Sequence, residues 1–252
     1  MKKTIMMLFI MLMSSQFIQA QGTSVHMHRR VADTDMEEVI KREVKYWSKF
    51  AESEIEKGNM TFWGVFVRIG GTDLENEPNI LIVNGFTDID KEINWGGIKD
   101  MFPDVKMEDM ETRHLSTTTD MIVLRDLKNH IQVPGATGDD FNFVRIKYHN
   151  VKDLGWHFRF EADKVKPFFK ADMDAGKSKR KGWGNAVILE PKSEKFPYKA
   201  YSYNLFSKLS DALNPRHKEG TPFPDGFFDE YQKNVAGPDN SRLYRVIKVV
   251  NK

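Results

Sequence analysis

Apolar residues recur along this chain at two periods, and the points where the period changes mark out the elements. Val25 to Val31 has the alternation of a short strand, and Asp33-Thr34-Asp35 then supplies capping chemistry for a helix. Met36, Val39, Ile40, Val44, Trp47, Phe50 and Ile55 fall largely on one helical face, with Gly58 as a natural stop. From Thr61 to Ile69 the period returns to two. Trp63, Val65, Val67 and Ile69 lie on one side of that strand, and Phe62, Gly64 and Phe66 on the other. A turn from Gly70-Gly71 to Pro78 leads to a strand over Asn79–Gly85, a short helix over Thr87–Glu92 and a fourth strand over Met121–Leu127.

The same order then returns. Strands are expected over Phe141–Lys147, Trp183–Leu189, Tyr198–Asn204 and Leu243–Val250, a long helix over Trp156–Ala175 and a short one over Ser207–Leu213. Three landmarks recur at one spacing of 120 residues: Trp63-Gly64 as Trp183-Gly184, Asn84-x-Phe86 as Asn204-x-Phe206, and Arg125 as Arg245. Equal spacing across separated landmarks implies that a whole folding unit was duplicated, loops included. Each copy also carries an insert beginning Phe-Pro-Asp, at Phe102 and at Phe223, with helices expected over Val105–Thr112 and Gly226–Asn234. Pro167, inside the second long helix, lacks the backbone donor and crowds the preceding turn, which predicts a kink. Asn129–Asp140, with its Pro-Gly-Ala-Thr-Gly run, reads as the linker, so the repeats span 21–128 and 141–252.

A βαββαβ unit forms a four-stranded antiparallel sheet with both helices on one face. These strands carry large apolar residues on both faces, so the bare face must be covered as well. The other copy is the nearest cover. The expected fold is α+β: two ferredoxin-like repeats packed sheet to sheet as a closed or nearly closed barrel, helices outside.

Residues 1–20 stand apart. Lys2 and Lys3 precede the apolar run Ile5–Met13, and a polar stretch ends at Ala20, the pattern of a cleaved secretory signal. That run is too short to span a bilayer, which needs about 20 residues, and no later segment approaches that length. The expected location is periplasmic or secreted. Without its leader the chain has 36 basic and 36 acidic residues, a balance that argues against nucleic acid as a partner. It has no cysteine, which excludes disulfides, thiolate metal sites and a cysteine nucleophile.

The chain resembles the dimeric α/β-barrel proteins of ferredoxin-like fold in their tandem, single-chain form, a group that includes antibiotic-biosynthesis monooxygenase-like, NIPSNAP-like and chlorite-dismutase-like members. The resemblance rests on the helix-ending Gly58 and Gly176, the Trp-Gly strand openings, and Phe86-Thr87-Asp88-Ile89 with Phe206-Ser207-Lys208-Leu209 after the third strands. Ala175-Gly176-Lys177 through Gly182-Trp183-Gly184 looks especially like exported bacterial members. The resemblance implies architecture over nearly the whole mature chain, and carries activity poorly.

Paired polar positions on strands are the candidate ligand contacts. If Asn84, Asn204, Arg125 and Arg245 all face inwards, two amides and two guanidinium groups form a symmetric site for a carboxylate or other polar oxygen. The alternative is local: an Asn bonding a turn and an Arg in solvent. Asn185 replaces Val65 between the copies, and His157 has no counterpart, so both break the symmetry. His157 is a candidate base, or a haem ligand of the kind some related barrel enzymes use; haem is otherwise not called for. His26 and His28 alternate and point the same way, yet no third ligand at recognisable spacing follows, so no metal site is assigned. His149 and Asp153, before the second helix, share that ambiguity, and Lys177–Lys181 reads as a solvated basic loop.

No catalytic motif is present, including Gly-x-Ser-x-Gly. The first reading of function is therefore an exported protein that encloses a small, partly apolar organic molecule. A cofactor-independent oxygenase or a haem enzyme of the same fold is the alternative, and an assembly module the third. A homodimer stays open, since internal duplication can replace one or add to it.

Overall fold

The computed structural model describes residues 22–71, 77–214 and 222–251. The expected leader over residues 1–20, and most of the turn after Gly71, lie outside the described residues. Strand β1 (Thr23–Val31) leads into a long helix, α1, which runs through Met36–Arg42, a π-helical turn over Glu43–Trp47, and Ser48–Glu56. Next come β2 (Met60–Arg68), β3 (Ile80–Phe86), the single turns α2 (Ile98–Met101) and α3 (Met107–Met110), and β4 (Ser116–Asp126). The middle segment holds a two-residue strand β5 (Ile131–Gln132) and a 3-10 turn over Gly138–Asp140. The second half follows with β6 (Phe143–His149) and helix α4, built from Leu154–Phe160, a π-helical turn Glu161–Val165 and Lys166–Asp174. It is completed by β7 (Gly182–Glu190), β8 (Ala200–Phe206), the short helices α5 (Leu209–Leu213) and α6 (Phe227–Lys233), and β9 (Asn240–Asn251).

All strand pairs are antiparallel, in the order β4-β1-β3-β2-β9-β6-β8-β7, and β7 returns to β4 to close an eight-stranded barrel. The halves meet edge to edge, through β2 with β9 and β4 with β7, rather than by two open sheets stacking. Closure satisfies every edge that an isolated four-stranded sheet would leave open. The short β5 sits beside β4 on the outer edge of β7, pairing with its first residues.

Strand alternation sends one set of side chains inwards and the other towards the helices. Inside lie Phe66, Leu81, Val83, Ile122, Leu124, Val144, Ile146 and Tyr201. Outside, Trp63, Val65, Ile80 and Ile82 pack against Val39, Phe50 and Ile55 of α1, and Trp183 against Phe169 and Met173 of α4. The recurrent Trp-Gly pair joins the two layers. Each Trp is 2% exposed beneath its helix. Each Gly leaves room for an inward ring: a Cβ at Gly64 would stand 2.8 Å from the Phe66 ring, and one at Gly184 2.6 Å from Cζ of Tyr203.

Gly58 and Gly176 end the long helices at φ of 76° and 66°, a conformation that costs other residues strain. They are 118 residues apart, as are the two π-helical turns, while the strands keep 120. The link into the helix is two residues shorter in the second half, and the link out two longer. Pro167 does not cause the irregularity ahead of it, because α1 makes the same π turn without a proline. The short helix expected over Thr87–Glu92 is absent: Asp88 accepts a bond from the Asp90 N–H at 3.0 Å, a local turn that competes with a helix, and Ile89 is 45% exposed. The helical turn forms later, where Ile98 is buried. The Val105–Thr112 helix shrinks to Met107–Met110, Thr112 being drawn into a buried contact described below.

The glycine role predicts an asymmetry. Gly184→Ala should lower stability in urea unfolding by about 1–3 kcal/mol by forcing the Tyr203 ring to move. Gly138→Ala, with nothing within 4 Å of the added carbon, should stay within about 0.5 kcal/mol. Equal losses at the two positions would contradict this account.

Candidate functional site

The inward-facing quartet, one of the two arrangements open from the sequence, does not form. Asn84 and Asn204 alternate with Ile82 and Ser202 on the helix-facing side of β3 and β8, in opposite halves of the barrel. Asn84 is buried, and Asn204 accepts a 2.6 Å bond from Nε of Arg180. Arg180 comes from the run expected to be solvated; instead its guanidinium lies 4.0 Å over the Phe169 ring, and burial lowers its pKa to about 10. Arg125 and Arg245 are exposed, each opposite a valine at one of the two seams, Val187 and Val67. None of the four points into the barrel. The reason is parity: both residue pairs fall on the strand face that carries Ile80 and Ile82, and that face meets the helices.

What the barrel does enclose is a cavity of about 840 Å3, reaching from the mouth beside residues 136–142 towards mid-barrel. Its walls are mixed, with Phe66, Val83 and Val249 beside Tyr201, Tyr203 and His26, and Asp126 and Lys248 are among its polar lining. His26 and His28 do share a face, as alternation predicts, and it is the inner one. His26 is 5% exposed, meets the Tyr201 ring edge-on at 5.2 Å, and leaves Nδ1 without a hydrogen bond. Burial lowers its pKa to about 3, so the ring is neutral at any ordinary pH.

Deeper in, His28 fills the barrel axis. Its Nε2 lies 2.7 Å from the hydroxyl of Tyr148, the residue 120 positions on. Its Nδ1 lies 3.3 Å from Nη1 of Arg242 and 3.2 Å from the Tyr244 hydroxyl. A guanidinium only donates, so Nδ1 accepts and the ring proton sits on Nε2 facing Tyr148. Burial, then the Arg242 charge, hold the His28 pKa well below its ordinary value. Arg242 is held in turn by Asp120 and Glu77, each at 3.7 Å. This network plugs the barrel beyond the cavity.

The residues that break the symmetry, Asn185 and His157, do converge, under α4 on the outer face of the second half. Asn185 Nδ2 donates to Glu161 at 2.6 Å, and His157 Nε2 lies 3.5 Å from the other Glu161 oxygen. The His149 ring centre is 4.9 Å from that of His157. His149 Nε2 lies 2.7 Å from the Ser202 hydroxyl, and its Nδ1 faces Tyr231 at 3.1 Å and Asp239 at 3.3 Å. Burial works to raise the Asp239 pKa, but hydrogen bonds from His149 and Lys147 outweigh it and hold the carboxylate ionised. Asp153, by contrast, is a helix cap, accepting from the Trp156 N–H at 2.8 Å. The sequence reading passed over Glu161, although His157-x-x-x-Glu161 is the spacing that stacks two side chains on one helical face.

A haem on His157 does not fit this arrangement. The ring is 0% exposed, so not even a water-sized space adjoins its nitrogens, and Glu161 stands at Nε2. An axial ligand must open onto room for a porphyrin, and His157 is not on the wall of the cavity inside the barrel.

No family model matches the chain, and no curated protein sequence matches it. Solved structures do. A protein from Lactobacillus acidophilus NCFM, provisionally described as a monooxygenase, aligns at a TM-score of 0.57 and 15% identity, over 91% of this chain and 95% of that one. A second, from Fusobacterium nucleatum and described in the same way, gives 0.57 and 12%, over 92% and 94%. An anthrone oxidase-like protein gives 0.52 and 10%, over 91% and 92%. Likeness at these identities is likeness of fold: the chain shares with these proteins an α+β fold built on an eight-stranded antiparallel barrel. Among the described residues no helix is long and apolar enough to cross a membrane.

The buried imidazoles predict acid sensitivity. His26, His28 and His149 all have pKa values lowered mainly by burial, so below the ordinary 6.5 the unfolded chain takes up protons that the folded chain refuses. Stability is present above pH 6.5 and is lost towards the folded values, at up to about 1.4 kcal/mol per pH unit for each ring. Glu43, raised to about 7 by burial, works in the opposite sense and offsets part of this. The urea midpoint should fall between pH 7 and pH 5, and His26→Phe should make the fall shallower. An unchanged slope would contradict the assignment.

Proposed function

We propose that this chain is an exported protein, made of two fused ferredoxin-like repeats over 21–128 and 141–252, that holds a small, partly apolar organic molecule inside its barrel. The cavity carries the reading. Its volume of about 840 Å3 is in the range of ligand pockets, and its wall combines aromatic and aliphatic carbon with a few polar groups. His26, neutral and with Nδ1 unbonded, gives a buried hydrogen-bonding group for such a molecule. The 120-residue recurrence and the identical strand order of the halves support fusion, and the pattern of residues 1–20 supports export.

A cofactor-independent oxygenase acting on the enclosed molecule is the second reading, and the descriptions of two similar structures favour it. The His26 environment weighs against proton abstraction there, because a ring whose pKa is lowered to about 3 is a weak base. A single-chain closed barrel also needs no second copy for closure, so a homodimer would have to form another way.

Thermal shift with a panel of phenolic, heteroaromatic and aliphatic compounds tests the proposal. A cavity ligand should stabilise the chain by about 2.7 kcal/mol at a hundredfold excess over Kd. His26→Ala should weaken binding by about fivefold through one lost hydrogen bond, and Val249→Trp, which fills the cavity, should abolish it. If no class of compound stabilises the wild type, the binding reading fails; oxygen uptake with a stabilising compound would move the conclusion to the enzyme.

A further inference from the structure

The two halves solve one electrostatic problem in different ways. At the first π-helical turn, Glu43 is 3% exposed, and a cation stands beside it: Arg29 Nη1 is 3.9 Å away and donates to Thr112 Oγ1 at 2.8 Å, whose hydroxyl donates to Glu43 at 2.7 Å. At the second, Glu161 is equally buried at 4%, but His149 replaces Arg29, His157 replaces Val39 and Asn185 replaces Val65. The guanidinium has been exchanged for two imidazoles and an amide, all of which can donate a lone pair. A buried carboxylate needs a compensating charge, and here the protein supplies ligands in place of one.

We propose that His149, His157 and Glu161 bind a divalent first-row transition ion of the zinc type in a closed site, with Asn185 Oδ1 as the candidate fourth donor. One ligand atom from each of the three lies within 4.8 Å of the others. The 3.5 Å between His157 Nε2 and Glu161 Oε1 is long for a charged hydrogen bond, and is close to the about 3.4 Å edge between two ligands of a tetrahedral zinc with bonds near 2.0–2.1 Å. Both nitrogens of His157 and Oδ1 of Asn185 are fully buried without a hydrogen-bond partner, a deficit that a coordinated ion removes.

The surrounding bonds suit the same purpose. Asp239 receives the Nδ1 proton of His149, so Nε2 carries the lone pair; it accepts from the Ser202 hydroxyl at 2.7 Å, a bond that coordination would replace, and Asn185 Nδ2 orients the far oxygen of Glu161. A carboxylate behind a ligating imidazole is the usual support for a metal site. No side chain of the trio is more than 6% exposed, which describes a site closed to substrate and stabilising in effect. His149, His157 and Glu161 lie on the helix-facing side of the sheet and are not on the cavity wall, whereas Asn185 also borders the cavity.

The test uses the full chain, stripped with chelator and titrated with cobalt(II), then zinc. One equivalent should bind, cobalt giving the visible absorption of a four-coordinate ion that zinc displaces, and zinc should raise Tm. His157→Ala and Glu161→Gln should each cut affinity by at least about tenfold. His149→Arg, which rebuilds the first half's solution, should keep the fold and lose the ion. His114→Ala, at an exposed histidine away from the site, should bind the ion as the wild type does. X-ray absorption on the zinc-loaded wild type should show imidazole ligation, a readout that holds even where a variant fails to fold. Absence of stoichiometric binding by the wild type, a zinc spectrum without imidazole, or full affinity in folded His157→Ala or His149→Arg protein would overturn the assignment.

Discussion

The closed barrel of this chain follows from strands that are apolar on both faces. A four-stranded sheet with helices on one side buries one face only, and it ends in two unpaired edges. Joining the edges of two such sheets removes both problems at once. The seams β2–β9 and β4–β7 satisfy the backbone, and curvature turns the remaining apolar faces inwards on each other. The helices α1 and α4 then need only cover the outside. The cavity is a consequence as well: eight strands enclose a space that side chains nearly fill, and here His28, Tyr148, Tyr244 and Arg242 fill one part while small residues such as Gly85 and Ala186 line another.

Most of the architecture was legible in the sequence because its signals were local and strong. The eight strands fall within a few residues of their expected bounds, since each is bracketed by a change of period or a turn. The Thr87–Glu92 helix failed because a cap pattern alone carries no information on burial, and Ile89 had nothing to pack against. The candidate site was less legible for a related reason. When both faces of a strand are apolar, alternation says which residues share a face but leaves open which face turns inwards, so the inward reading of Asn84, Asn204, Arg125 and Arg245 stood beside a local one, and all four lie on the outer side. Comparing the copies did better. Asn185 stood out as a departure from Val65 and His157 as a residue without a counterpart, and those two are the ones the fold brings together.

That comparison also sets the two halves apart in chemistry where their backbones agree. The π-helical turn is kept in both halves, and with it a buried glutamate, Glu43 or Glu161. Its surroundings are not kept: one half answers with Arg29 and Thr112, the other with two histidines and an amide. One geometric irregularity thus carries different chemistry in the two halves. The barrel interior diverges likewise, His28 facing Tyr148 across the 120-residue repeat.

Amide hydrogen exchange on the intact chain tests the central claim most directly, because closure makes the seams part of a single cooperative structure. Amides of Phe62–Arg68 in β2 and Tyr244–Asn251 in β9, with those of Leu124–Asp126 in β4 and Ala186–Ile188 in β7, should exchange as slowly as the strands inside each half, through global unfolding. Fast exchange along both seams while β1–β3 and β6–β8 stay protected would mean that the halves open independently, and the closed barrel as the unit of stability would be contradicted.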